Sequence, residues 1–292
     1  MIDGRSTVRS RELGTALRLA MERANYSGKR LAELLGWSES RVSRFLTGKL
    51  GATEVEVSAM LALLGVIGDR RDQLLRLTRE QGALGWLPAE QSHALGEHLR
   101  KAERIMDFHA SSVPYLLQTE NYTRAAISRM VNLPFDGIEK LVSERMSDQV
   151  VFSRSEPPQC AFYIHELALH LPIGGDDVMS DQLHHLLRMA VRSYVSIRLI
   201  PAAVGAHAGL AGSCTLMEFA EFEPVVYLDE EVGGHFMEEP EEISAYHRVF
   251  AALSAVALDR TTSKDVIAEL ASDHYGMLEE AEEQDEYEDE DD

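Results

Sequence analysis

From Ser38 to Lys49 the chain reads SESRVSRFLTGK, with three serines, two arginines, a glutamate and a lysine in twelve residues. These side chains can handle nucleic acid. A guanidinium pairs with guanine O6 and N7, a carboxylate accepts from cytosine N4, and cationic groups hold phosphate oxygens. With the preceding LAELLGW, the stretch looks like a device for entering a DNA groove. The whole chain, at 28 Lys+Arg against 49 Asp+Glu, has a formal net charge of −21. The acid lies elsewhere. Residues 1–82 hold 14 basic and 10 acidic side chains, a net of +4, and the remainder carries −25. The groove-like stretch therefore sits in a mildly basic segment, as phosphate contact requires.

Short helices must position it. Leu13, Ala16, Leu17, Ala20 and Ala24 recur at spacings of three and four, which predicts one apolar helix face. Ser27 is placed to cap a second helix that buries Leu31, Leu34 and Leu35 and ends at Gly36. Ser38 caps a third, with Glu39 in its first turn to suit the helix dipole. Val42, Phe45 and Leu46 form the buried side of that helix, and Gly48 ends it. Ala32, Gly36 and Val42 meet three demands of two helices crossing steeply: a small contact residue, a turn glycine and a branched apolar seal. GATEVEVSAMLALLGV and GDRRDQLLRLTREQ read as fourth and fifth helices, with Met60, Leu61, Leu63 and Leu64 in the core. Gly82, Gly85 and Pro88 break the pattern, which places a domain boundary at 83–89.

On these residues, 9–82 resembles the lambda-repressor-like (XRE) helix-turn-helix domain. SRVSRFLTGK is similar to that family's Ser-x-Ile/Val-Ser-x-x-Glu-x-Gly-Lys ending, with Phe45 and Leu46 before Thr47 so that the acidic position is lost. The resemblance implies a five-helix reader whose third helix enters the major groove with its N-terminal residues at base edges. That puts Glu39, Ser40, Ser43 and Arg44 at bases and Ser38 at the helix start. Arg41, Lys49, Lys29 and the backbone near Ser27 then hold phosphates.

The 292 residues suit two domains, and 45% hydrophobic content supports an ordinary core. No apolar run approaches the ~20 residues of a membrane span, and MIDGRSTVRS has no secretory core. Cys160 and Cys214 lack metal-type spacing, so a cytoplasmic protein with reduced thiols is expected. Residues 89–130 are helical in period, interrupted by HASSVPYLLQTENY, where Pro114 forbids a simple helix and Thr119 can cap the next. A helix follows over 135–155. CAFYIHE (160–166), YVSIRLIP (194–201), GSCTLMEFA and PVVYLDE read as strands, with ELALHL and DQLHHLLRMAV helical between the first two. A Gly-Gly turn precedes HFMEE, Pro240 opens a helix to about Leu258, and a last helix covers 264–275. The order predicts a mainly α protein whose C-terminal part is α+β, a mostly antiparallel sheet flanked by helices.

No catalytic constellation emerges. His165 and His170 stand five apart, not at the three or four of a helical metal pair, and His184–His185, His207 and His235 have no evident partners. The cysteines lack the nearby histidine a nucleophile needs. PAAVGAHAGLAGS (201–213) is a flexible loop, or lines a small-molecule pocket or approaches phosphate, without a GxGxxG or Walker pattern. Neither enzyme activity nor a metal or cofactor is expected.

VPYLLQTENYTRAAI resembles the Val-Pro-Gly-Leu-Leu-Gln-Thr-x-x-Tyr-x-Arg signature of the actinobacterial WhiJ-like regulators, through Val113, Pro114, Leu116, Leu117, Gln118, Thr119, Tyr122 and Arg124. VVYLDE and EEISAYHRVFAALSAVALDRTTSKDVIAEL are similar to its later portions, and Tyr115 replaces the usual glycine. The resemblance implies a DNA-binding regulator whose gene often neighbours one for a small partner protein. The organisation expected is a helix-turn-helix domain over 1–84, an α+β regulatory or dimerisation domain over 89–276 and an acidic tail over 277–292. Residues 279–292, with 11 acids, are too repulsive to fold alone, and either aid solubility or compete with DNA for the basic face. The expected activity is sequence-specific binding of double-stranded DNA by a homodimer that receives a signal from a small partner protein or ligand. An antitoxin-like protein that sequesters a partner and autoregulates its operon is the alternative.

Overall fold

The computed structural model describes residues 6–79, 85–88, 93–130, 135–230 and 233–273. The acidic tail, Gly82 and residues 83, 84 and 89 of the expected boundary at 83–89 lie outside them. The chain divides into two compact units, Met1–Trp86 and Leu87–Asp292.

The first unit holds five helices: α1 (Val8–Arg23), α2 (Gly28–Leu35), α3 (Glu39–Leu46), α4 (Glu54–Leu63) and α5 (Gly68–Arg79). Side chains that satisfy orphan backbone donors set the starts of α1 to α4. Thr7 and Thr53 form capping boxes with Ser10 and Glu56, and Ser27 and Ser38 accept from the N–H groups of Arg30 and Arg41. Gly36 (φ 65°) and Gly48 (φ 71°) take the left-handed conformation that ends α2 and α3. Leu13, Leu17, Leu31, Val42, Phe45, Met60, Leu61 and Leu74 fill the core. Leu34, expected inside, is 41% exposed, because only the Leu31 and Ala32 side of α2 meets the bundle.

The boundary between the units falls within β1 (Gly85–Pro88), and the second unit contains α6 (His93–Leu99), β2 (Arg104–His109), α7 (Glu120–Met130), α8 (Phe135–Asp148), β3 (Gln159–His165), α9 (Leu167–His170), α10 (Asp176–Ala190), β4 (Val195–Ile200), β5 (Cys214–Glu218), β6 (Val225–Glu230), β7 (Gly233–Met237) and α11 (Pro240–Val256). A further helix is described over 260–273. The strand order is β1-β7-β6-β5-β2-β3-β4. The antiparallel pairings expected are present at β2–β5, β5–β6 and β6–β7. Across β2–β3 and β3–β4 the sheet is parallel, because helical crossovers join these strands. It is thus a mixed sheet in an α+β unit, within a chain that is helical in most of its elements.

Three local expectations are corrected. β2 occupies a stretch read as helical, because Asp107 and His109 interrupt its apolar pattern. Gly233 and Gly234 form the start of β7, not a turn, and Gly234 pairs with Asp229. The helix expected over 135–155 ends at Asp148, and a 3₁₀ turn continues over Gln149–Ser153.

Alternation sends Phe108, Tyr163, Leu216 and Val226 to one face, where Ile243, Phe250 and Leu253 of α11 cover them. Asp107, Phe162, Thr215 and Tyr227 share the opposite face. The outer edge of β4 is closed by Ser263 Oγ, which accepts from Leu199 N–H, and by Leu258 N–H and Arg260, which donate to Leu199 and Val195 carbonyls.

The VPYLLQT segment is held by buried polar side chains. Gln118 Nε2 donates to Val113 O at 2.7 Å and its Oε1 accepts from Thr123 at 3.0 Å. Gln182 of α10 donates to Leu117 O and accepts from Thr119 N, both at 2.7 Å. Thr119 Oγ1 accepts from Tyr122 N, as expected of a cap. Tyr115 starts a 3₁₀ turn over Tyr115–Leu117 without positive φ, so a side chain is accommodated there.

Candidate nucleic-acid interface

α3 is amphipathic at single-residue resolution. Val42, Phe45 and Leu46 are buried, and Glu39, Ser40, Ser43 and Arg44 are exposed on the other side. Ser38 at its start, Ser27 and Lys29 at the start of α2, and Lys49 beyond its end are exposed as well. A shallow depression of about 720 Å³ runs between these elements, lined by Arg18, Gly28, Lys29, Glu39, Ser40 and Ser43 among others. The N-terminus of α2 opens beside it, where unpaired backbone N–H groups favour an anion such as phosphate.

The position of α3 depends on two glycines. A Cβ on Gly14 would fall 2.5 Å from Leu46 O, and one on Gly48 would fall 2.7 Å from Arg11 N. Ser10 Oγ donates to Gly48 O at 2.9 Å, and Arg18 Nη2 to Leu46 O at 2.9 Å. α1 thus grips the C-terminal end of α3 and leaves its first turns facing outward.

Arg41 stands apart from the other expected contacts. It forms an ion pair with Glu56 of α4 and lies over the Trp37 ring at 4.3 Å from the centroid. Trp37 in turn meets Phe45 edge-on at 6.1 Å. Burial pushes the Glu56 carboxyl up, but hydrogen bonds from Thr53 and the Arg41 charge outweigh it and hold it below the usual range. Arg41 is therefore engaged in joining α3 to α4. Arg44 and Lys29 have no ion-pair partner among the described residues. Arg18, on α1, is a depression-lining cation that sequence reasoning passed over, because it sits in the middle of an apolar helix pattern.

In the second unit the histidines are mostly engaged locally. His165 and His207 stack at 5.4 Å, and each Nδ1 accepts a backbone N–H at 3.1 Å. His170 lies 3.9 Å from Glu166, and His184 Nδ1 lies 2.8 Å from Ser180 O. Burial pushes the thiols of Cys160 and Cys214 up to about 12, with Asp107 adding to it. Among the described residues, no group of three His, Cys, Asp or Glu is placed to hold a metal, and no helix is long and apolar enough to cross a membrane.

A five-helix bundle with a left-handed glycine between α2 and α3 and a polar outer face on α3 defines a helix-turn-helix DNA-binding protein. Residues 12–74 match the profile described as a helix-turn-helix domain. Residues 93–269, more than half of the chain, match a domain of unknown function, DUF5753, and the chain belongs to that family. No curated protein and no solved structure matches it.

Proposed function

We propose that this protein is a sequence-specific transcriptional regulator of the XRE, WhiJ-like type, acting in the cytoplasm as a homodimer on double-stranded DNA. The observation that carries the reading is the outer face of α3: Glu39, Ser40, Ser43 and Arg44 are exposed above a buried Val42, Phe45 and Leu46. Arg44 reads a guanine, Glu39 a cytosine, and Lys29, Lys49 and the α2 N-terminus hold phosphates. A single small reader offers few base contacts, and a two-fold dimer on an inverted repeat doubles them. The second unit receives a signal from a small partner protein or ligand. Its work is binding and not catalysis, a reading supported by the two buried, weakly acidic thiols.

Mapping of bound genomic sites with and without Arg44→Ala tests this. Occupied sites should share an inverted repeat. Arg44→Ala should relax preference at one base pair at a cost of about 1–3 kcal/mol, and Lys49→Ala should weaken all sequences alike. A purified chain that ignores duplex DNA at modest ionic strength would refute the reading.

A further inference from the structure

The loop between β4 and β5, PAAVGAHAGLAGS over 201–213, holds no Asp, Glu, Lys or Arg. It shows apolar side chains to solvent: Ala202, Ala203, Ala206, Ala208 and Leu210 are exposed, Leu210 to 69%. The loop is nonetheless pinned in place. It forms 3₁₀ turns over Ala202–Val204 and Ala208–Ala211, and Ala202 N–H donates to Glu166 Oε2 at 2.7 Å. Gly209 is buried, and a Cβ there would strike the Phe108 ring of β2. His207 meets the same ring edge-on at 5.7 Å and stacks on His165 at the end of β3. The Nδ1 atoms of the stacked pair accept from Leu167 N–H and Gly209 N–H, which sets Leu167 and Leu210 on either side of it. Leu167 is 48% exposed. An ordered apolar surface loses little entropy when it is covered, and exposed surfaces of this kind mark interaction sites.

Charge selects the occupant. Residues 83–292 carry a net charge of −25, and the loop is an uncharged surface within them. A cationic partner is drawn to the acidic surface and gains nothing from this loop. A partner that is itself acidic must be met where neither side brings carboxylates together. A second copy of this chain, at −21, is such a partner. The neighbouring carboxylate of Glu166 is engaged with Ala202 N–H and lies 3.9 Å from His170. Burial first, then His165, holds His207 below its ordinary value, so that ring adds no charge at neutral pH. A two-fold contact places the same surface on both sides, and uncharged then meets uncharged.

We propose that the loop over 201–213, with Leu167 beside it, is the contact between two copies of this chain, related by a two-fold axis that passes near Leu210. The proposal rests on the reading of the chain as a homodimer, and assigns the contact to the second unit. A surface of this size is at the small end of specific interfaces, so a dissociation constant of about 1–100 µM is expected.

Sedimentation equilibrium of the full chain, from about 1 to about 200 µM, brackets that range. Leu210→Glu and Leu167→Glu set carboxylates against each other across the axis and should weaken association at least tenfold. Both side chains are exposed, so the urea midpoints should match the wild type. Val191→Glu, at a position 70% exposed outside the loop, is the control and should leave association unchanged. Leu210→Cys gives a second readout. Mild oxidation should join two copies through position 210, since Cys160 and Cys214 are buried, and Val191→Cys should give no such product. A Leu210→Glu chain that associates like the wild type, or a dimeric Leu210→Cys chain that does not cross-link, would overturn the location and leave the homodimer reading. A wild type that is monomeric over the whole range would overturn both.

Discussion

Gly14 of α1 lies against the carbonyl of Leu46 so closely that a methyl group there would sit 2.5 Å from the oxygen. That oxygen also accepts from Arg18, so the contact fixes where the C-terminal end of α3 lies on α1. Gly14→Ala would gain about 1 kcal/mol of helix propensity. It must also push two backbones apart, and overpacking of this kind costs roughly 1–3 kcal/mol. We expect net destabilisation of the first unit, seen as an earlier urea transition with weakened duplex binding. Gly28→Ala, where a Cβ meets nothing within 4 Å, is the control and should not destabilise.

Arg41 should behave as a structural residue more than as a phosphate contact, since Glu56 and Trp37 hold it. A double-mutant cycle of Arg41→Ala and Glu56→Ala should show coupling of about 0.2–1 kcal/mol, as for other partly exposed pairs. Lys29→Ala should lower the slope of log affinity against log salt by about 1, and Arg41→Ala should lower it less. Equal slopes for the two variants would show that Arg41 leaves Glu56 for DNA.

Gln182 should be worth more to the second unit than its position on α10 implies. It is fully buried and satisfies both Leu117 O and Thr119 N. Gln182→Ala leaves both without a partner, and at about 1–3 kcal/mol for each orphaned group the loss should be roughly 2–6 kcal/mol. Urea unfolding of the second unit measures it, and a change under 1 kcal/mol would mean that solvent replaces the side chain.

His109 should make the second unit less stable in mild alkali. Burial lowers its pKa, but the charge and hydrogen bond of Asp107 on its own strand, with Asp229 of β6, outweigh burial and the opposing Arg145 of α8. The folded value is thus raised. Its contribution is complete below the ordinary histidine value of about 6.5 and is lost as pH rises through the folded value. Urea midpoints of the second unit should therefore fall from pH 6 to pH 8.5 in the wild type, and fall less in His109→Gln. Parallel pH profiles would contradict the assignment.

The reader was legible in residue order because its determinants are local. A serine caps a helix three residues on, a glycine takes positive φ where a helix stops, and Val42, Phe45 and Leu46 repeat at helical spacing. The strands β3 to β6 were legible for the same reason, as short apolar runs between turns. β2 was not, since its aspartate and histidine look like surface residues until two flanking strands bury them.

What the chain order left open was every relation between distant residues. Arg41 could have faced phosphate as readily as Glu56, and nothing near Gln118 announces Gln182 across the fold. The pairing of Asp107 with Thr215 joins residues 108 positions apart. Such contacts form only when packing brings remote segments together, because side-chain chemistry is written in each residue but the choice of partner depends on proximity. Folding alone settled which polar groups became partnered.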